Sequence, residues 1–225
     1  MKLATDDIVF LFDVDNTLLD NDRFHDELGE QLRLSNGDGA RERYWAAFEA
    51  LRRESGYADY LGAVQRWRLE EPHDVRILRT ANWMLDYPFA DRLYPGALDA
   101  IRHAGQWGSA ALLSDGDAVF QPHKIDRSGL WGASGGNVLI CVHKEKELHV
   151  VERLRPAARY VLIDDKLTIL DAVKKVWGDR VTTIFPRQGH YARDAASMTG
   201  LAPADITIER IGDLAQLDLG ALARR

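Results

Sequence analysis

Apolar residues along this chain fall into two regimes. The first run, Ile8-Val9-Phe10-Leu11-Phe12, is continuous, short and rich in Val, Ile and Phe. That pattern predicts a strand buried on both faces of a parallel sheet. From about Asn21 to Asp91 the spacing becomes helical: Phe24, Leu28 and Leu32; Tyr44, Phe48 and Leu51; Leu61, Val64 and Trp67; Leu78, Ala81 and Leu85. Breaks fall near Ser35-Asn36-Gly37-Asp38-Gly39, Ser55-Gly56 and Glu71-Pro72. Four helices with short connections are predicted, enough for a small bundle.

After Tyr94-Pro95-Gly96, strands and helices alternate. Apolar runs at Ala110–Leu113, Val138–Val142, Tyr160–Ile163 and Val181–Phe185 read as strands, and Ile206-Thr207-Ile208 as a last short one. Between them, helical stretches are predicted at about Pro95–Ala104, Ala118–Gly129, Glu145–Leu154 and Leu167–Val176. The fold class is therefore α/β, a doubly wound parallel sheet. The helical block, residues 21–91, interrupts a core formed by residues 1–20 and 92–225. It is expected to be an insert over the C-terminal edge of the sheet.

Bulk properties narrow the class. A chain of 225 residues with 46% hydrophobic and 28% charged residues suits one sizeable domain carrying a smaller insert. A net charge of −6 does not suggest nucleic-acid binding. No apolar run approaches the roughly 18 residues that span a bilayer. Cys141 is the single cysteine, so no intrachain disulfide can form and a cytoplasmic location is expected. Its place in Val138-Leu139-Ile140-Cys141-Val142 marks it as a packing residue.

Candidate chemistry gathers where the strands end, the edge at which open α/β sheets bind ligands. The first strand stops at Asp13 and Asp15, spaced i, i+2. One such carboxylate can attack an electrophile while its neighbour handles protons. Two acids this close ask for a divalent cation such as Mg2+. The second strand ends at Ser114-Asp115-Gly116-Asp117, where a hydroxyl and exposed N–H groups can bind phosphate oxygens. The third ends at His143-Lys144, a point charge for the same oxygens, and the fourth at Asp164-Asp165, a pair suited to a hard cation. Each feature has a plain alternative. Asp-x-Asp can be a strand exit, Ser-Asp-Gly a turn, Lys144 a solvated helix start, and the acid pair an N-cap. Four strand ends together favour a site.

In these motifs the chain resembles the haloacid dehalogenase-like (HAD) hydrolase superfamily over nearly its whole length. Asp13-Val14-Asp15-Asn16-Thr17 matches the first motif specifically; Ser114 and Asp164-Asp165 match the second and fourth; the third motif is a bare lysine. The resemblance implies a Rossmann-like core, a mobile C1-type helical cap, Mg2+ and an aspartyl-phosphate intermediate. Carried over by position, Asp13 is the nucleophile. Asp15 is the general acid and then base, and lends its backbone carbonyl to the metal. Asp165 ligates the metal directly, and Asp164 ligates it or holds a metal-bound water. Ser114, Asp115 and Lys144 bind the phosphoryl group, with Thr17 supporting the first loop. Many relatives carry a further acid four residues after the metal-binding one, where this chain has Ile169.

A Mg2+-dependent phosphomonoester hydrolase acting on a small phosphorylated metabolite, as a monomer or homodimer, is the leading expectation. A 2-haloacid dehalogenase needs neither metal nor second acid, so Asp15 and Asp164-Asp165 argue against it. A phosphonate hydrolase needs a cap lysine, and there is no lysine between Lys2 and Lys124. A phosphomutase, and a binding protein that keeps the fold without turnover, stay as alternatives. Among the lysines, Lys144 is preferred to Lys146 and Lys124, and Lys124 is expected on a solvated helix face. The arginines of the helical block, among them Arg23, Arg41, Arg43, Arg52, Arg66 and Arg68, are expected mostly on a solvated face. Arg187-Gln188-Gly189-His190-Tyr191 is expected to be a surface loop.

Overall fold

The computed structural model describes residues 6–223; the ends of the expected core, residues 1–5 and 224–225, lie outside them. Six parallel strands form one sheet in the order β3-β2-β1-β4-β5-β6: β1 Asp6–Phe12, β2 Ser109–Asp115, β3 Val138–Cys141, β4 Ala157–Ile163, β5 Val181–Pro186 and β6 Ile206–Ile208. The order reverses around β1, which pairs with β2 on one side and β4 on the other, Phe12 lying beside Leu112 and Ile163. That reversal opens the crevice at the C-terminal ends of β1, β2 and β4.

The continuous apolar run of β1 is explained by two cores. Ile8, Phe10 and Phe12 enter one hydrophobic cluster, while Val9 and Leu11 enter another on the opposite face. Period-two side-chain alternation thus buries every residue of the run.

Between β1 and β2 the chain forms α1 Asn21–Asn36, α2 Ala40–Ser55, α3 Tyr60–Arg68 and α4 Val75–Leu85, followed by α5 Ala97–Ala104. Aspartate caps start three of these helices, and Gly37 and Gly39 make the break between α1 and α2. Asp20, Asp59 and Asp74 accept hydrogen bonds from the first turns of α1, α3 and α4, which satisfies otherwise orphaned N–H groups. The block does not bury a core of its own. Phe24, Tyr44, Phe48, Tyr60 and Trp67 belong to the same cluster as Phe10 and Phe12. Phe120 joins the two regions, its ring 5.8 Å from Phe24, 5.4 Å from Tyr60 and 5.8 Å from Phe89.

The remaining helices are α6 Phe120–Arg127, α7 Leu130–Ala133, α8 Leu148–Leu154, α9 Leu167–Trp177 and the short α10 Ala195–Met198 and α11 Leu219–Ala223. One predicted element divides. Instead of a helix from about Glu145, a 3-10 turn at Lys144–Lys146 precedes α8. Glu147 folds back to accept from the backbone N–H of Val142 (2.9 Å) and His143 (3.3 Å). That cap ends β3 one residue before Val142, which is exposed. Cys141 is buried as expected, and burial pushes its thiol up to about 12.

Candidate active site

Three carboxylates meet at the crevice. Asp13 follows β1, and Asp164 and Asp165 follow β4; all three are buried, with one oxygen from each lying within 4.8 Å of the others. Lys144 enters from beyond β3. Its buried Nζ lies 2.5 Å from Asp13 Oδ1 and 2.6 Å from Asp164 Oδ2. The Asp164 contact is an ion pair between fully buried groups. Asp115 fixes the lysine from behind, accepting from its backbone N–H at 2.8 Å. Lys144 thus reaches the site expected of it, while Lys146 is exposed.

Charge in this cluster is unbalanced. With every group ionised, three acids lie together and the Lys144 ammonium pairs with two of them, Asp13 and Asp164. Like charges at about 4 Å repel by about 4 kcal/mol at an effective dielectric of about 20. Burial pushes the Asp164 carboxyl up to about 6 against the pull of Lys144. Burial, with Asp13 and Asp164 beside it, holds Asp165 well above the usual carboxylate range. Burial opposes the Lys144 charge, yet Asp13, Asp164 and Asp115 keep its ammonium well above the ordinary lysine value. Both Asp165 oxygens are buried without a hydrogen-bond partner. Orphaned anionic oxygens of this kind are expensive unless a cation takes them. The donor set, all oxygen and anionic, fits a hard divalent ion.

The first loop is held around the cluster. Asn16 is the only non-glycine residue with positive φ (63°) among the described residues, a conformation asparagine tolerates. Its Oδ1 accepts from the N–H of Asn21 and Asp22, and so ties the loop to the start of α1. Thr17, fully buried, accepts the Asp165 N–H through Oγ1 at 3.0 Å. Ser114 is buried and its Oγ accepts from Gln121 Nε2 at 2.8 Å, which leaves the hydroxyl hydrogen free to donate.

Asp15 stands outside the triad. Its two oxygens each lie 2.7 Å from Lys124 Nζ, and Gln121 Nε2 reaches Oδ2 at 3.3 Å. Lys124 is fully buried. The solvated helix face expected for it is therefore wrong, because α6 turns this residue inward against Asp15 and the aromatic cluster. The loop after β5 is corrected as well. Gln188 is buried and donates to the backbone oxygens of Asn16 (3.3 Å) and Thr17 (2.6 Å). At Gly189, with φ +75°, a Cβ would come within 2.6 Å of Asn16 Cβ and 3.2 Å of Asp165 Oδ2. Only glycine fits that approach. His190 is exposed and binds Asp22 through its backbone N–H at 2.8 Å.

A cavity of about 680 Å³ opens beside the first loop, at Asp15 and Asn16. Asp15, Asp115 and Lys166 line it from the sheet side, and His25, Arg52 and Tyr60 from the helical block. Of the arginines expected on a solvated face, Arg23, Arg43 and Arg66 are indeed partly exposed and paired with Glu27, Glu71 and Glu54. Arg52 instead reaches Tyr191 OH at 3.4 Å.

Residues 9–176 match the family model of the haloacid dehalogenase-like hydrolases. No functionally curated protein matches the chain. Among solved structures, a protein of Burkholderia xenovorans LB400 assigned to the haloacid dehalogenase-like hydrolases is 56% identical, over 96% of this chain and 98% of that one, with a TM-score of 0.90. An L-2-haloacid dehalogenase from Xanthobacter autotrophicus with chloropropionic acid covalently bound is 14% identical, over 94% and 98% of the two chains, with a TM-score of 0.63. A Bacillus subtilis HAD-hydrolase bound to magnesium is 16% identical, over 92% and 96%, with a TM-score of 0.61. The last two share the fold alone. On the family match, and on the Burkholderia relative, this chain belongs to the haloacid dehalogenase-like hydrolases.

Proposed function

We propose that this hydrolase is a Mg2+-dependent phosphomonoesterase that works through a phosphorylated Asp13 on a small phosphorylated metabolite. The observation that carries the reading is the buried triad Asp13, Asp164 and Asp165, with both Asp165 oxygens unpartnered. A dehalogenase has no use for such a cation-hungry cluster, since its nucleophile needs only one carboxylate.

The carboxylates of Asp13, Asp164 and Asp165 would hold the ion, with the backbone carbonyl of Asp15. Bound Mg2+ supplies charge neutralisation at the phosphoryl oxygens. The protein's own groups do the rest. An Asp13 oxygen attacks phosphorus and the P–O bond to the alcohol breaks. Asp15 passes a proton to the departing oxygen. Ser114 Oγ–H and Lys144 bind the phosphoryl oxygens, and Thr17 holds the first loop in place. Asp15, now ionised, takes a proton from water, whose oxygen attacks the acyl phosphate. Inorganic phosphate leaves and the Asp13 carboxylate returns. Helices α1–α4 serve as the cap, closing the cavity against bulk water.

The test is a panel of phosphorylated metabolites beside 2-chloropropionate, each with Mg2+ and after EDTA. Release of phosphate that EDTA stops and Mg2+ restores is expected. Release of chloride from 2-chloropropionate, unaffected by EDTA and without phosphate release from any ester, overturns the reading.

A further inference from the structure

Lys124 is a buried cation beside the reacting groups to which the steps above give no task. Its Nζ is sealed from solvent, so it cannot touch a substrate itself. An ammonium has three donors, and three acceptors surround this one: Asp15 Oδ1 and Oδ2 at 2.7 Å and Asn21 Oδ1 at 3.1 Å. The rings of Tyr60 and Phe120 lie 5.5 and 6.0 Å away, near enough to favour the charge. Asp15 keeps 26% of its side chain open toward the cavity.

The seat is built from two parts of the molecule. Asp15, Gln121 and Phe120 come from the sheet side. Asn21 comes from α1 and Tyr60 from α3, and the two are joined by a hydrogen bond from Asn21 Nδ2 to Tyr60 OH at 3.2 Å. Without Asn21 and Tyr60, Lys124 and Asp15 would form a water-exposed pair, and such pairs hold their geometry poorly. With them, the pair is dry on the lysine side and fixed in direction.

We propose that Lys124 is a positioning residue that fixes the Asp15 carboxylate, and that α1 and α3 complete its seat through Asn21 and Tyr60. Seating of the helical block and placement of the proton-transfer group then become one event. The proposal rests on the reading of Asp15 as that group.

The experiment is a double-mutant cycle, read by hydrolysis of p-nitrophenyl phosphate in Mg2+ and by thermal unfolding. Lys124→Met should lower kcat about 10- to 100-fold, a fraction of the roughly 100- to 10,000-fold that general acid–base catalysis supplies, with KM changed less than about threefold. Lys124→Arg should recover part of the loss. In an Asp15→Asn background, Lys124→Met should reduce kcat no further than about threefold, because the lysine acts through that carboxylate. Asn21→Ala combined with Tyr60→Phe should lower kcat by several-fold. Full multiplication of the two effects in the double mutant, or kcat unchanged in Lys124→Met, overturns the positioning role. Unchanged kcat in the Asn21/Tyr60 variant overturns the link to the helical block. If wild type hydrolyses no phosphomonoester, the functional reading fails, and unfolding still decides the pair. Asp15→Asn should then offset part of the lowered Tm of Lys124→Met, and strictly additive Tm changes overturn the proposal.

Discussion

Asp165 and Lys144 show how single side chains here are set by what surrounds them. Asp165 has two buried oxygens and no donor, so the groups around it favour a cation over water. Asp165→Ala is expected to abolish high-affinity Mg2+ binding, measured calorimetrically on the metal-free protein, and to leave the fold intact by circular dichroism. Unaltered Mg2+ affinity would place the ion elsewhere. Lys144 is buried against two acids, while Lys146, two residues on, is exposed. Loss of one charge-stabilising donor at a reacting centre is worth roughly 2.7–4 kcal/mol. Lys144→Ala should therefore lower kcat/KM about two to three orders of magnitude, and Lys146→Ala less than about tenfold. The reverse ranking would shift the motif by two residues. Asp13, Asp15, Ser114, Asp164 and Asp165 were visible in the sequence because each ends an apolar strand. Lys124 and Gln121 were not. They are polar residues on a helix, and only the packing of α6 against Asp15 turns them inward. Gln188 was hidden for a related reason: its partners are backbone oxygens about 170 residues away.

At the scale of elements, continuous apolar runs revealed β1 to β5, while β6 showed only as the alternating Ile206-Thr207-Ile208, whose middle residue is exposed. The four helices of the block were equally readable from their spacing. Turn structure was less so. The split at Lys144–Lys146 depends on Glu147 capping two N–H groups at the end of β3, a contact that periodicity cannot show. The pairing of α1 with α2 carries a pH consequence. His25 stacks on Trp45 with centroids 3.7 Å apart, and burial lowers its pKa to about 4, against a raising pull from Asp22. The unfolded chain takes up a proton near pH 6.5 that the folded protein refuses until about pH 4. The stability linked to His25 is full above about pH 6.5 and is lost as pH falls toward 4. Urea unfolding at pH 7 and pH 5 should show a smaller difference for His25→Phe than for wild type. An equal difference would mean that His25 is not kept neutral by folding.

Across the whole molecule, one aromatic cluster ties the helical block to the sheet. Phe120 lies at its centre and begins the helix that carries Gln121 and Lys124. Phe120→Ala should destabilise the protein by about 3–5 kcal/mol, measured by urea unfolding. It should also lower kcat at temperatures where the variant remains folded, because the seat of Asp15 loosens with the ring. A destabilised variant with wild-type kcat would separate packing from the site. Among the described residues no helix is long and apolar enough to cross a membrane, and the cavity of about 680 Å³ lies at the junction of block and sheet. The most direct test of phosphoryl transfer at this junction is acid quenching of the Mg2+-loaded enzyme during turnover of p-nitrophenyl phosphate, followed by peptide mass spectrometry. A phosphorylated peptide modified at Asp13, and absent from Asp13→Asn, is the expected result. Turnover with Asp13 unmodified, or an Asp13 ester formed only from 2-chloropropionate, would contradict it.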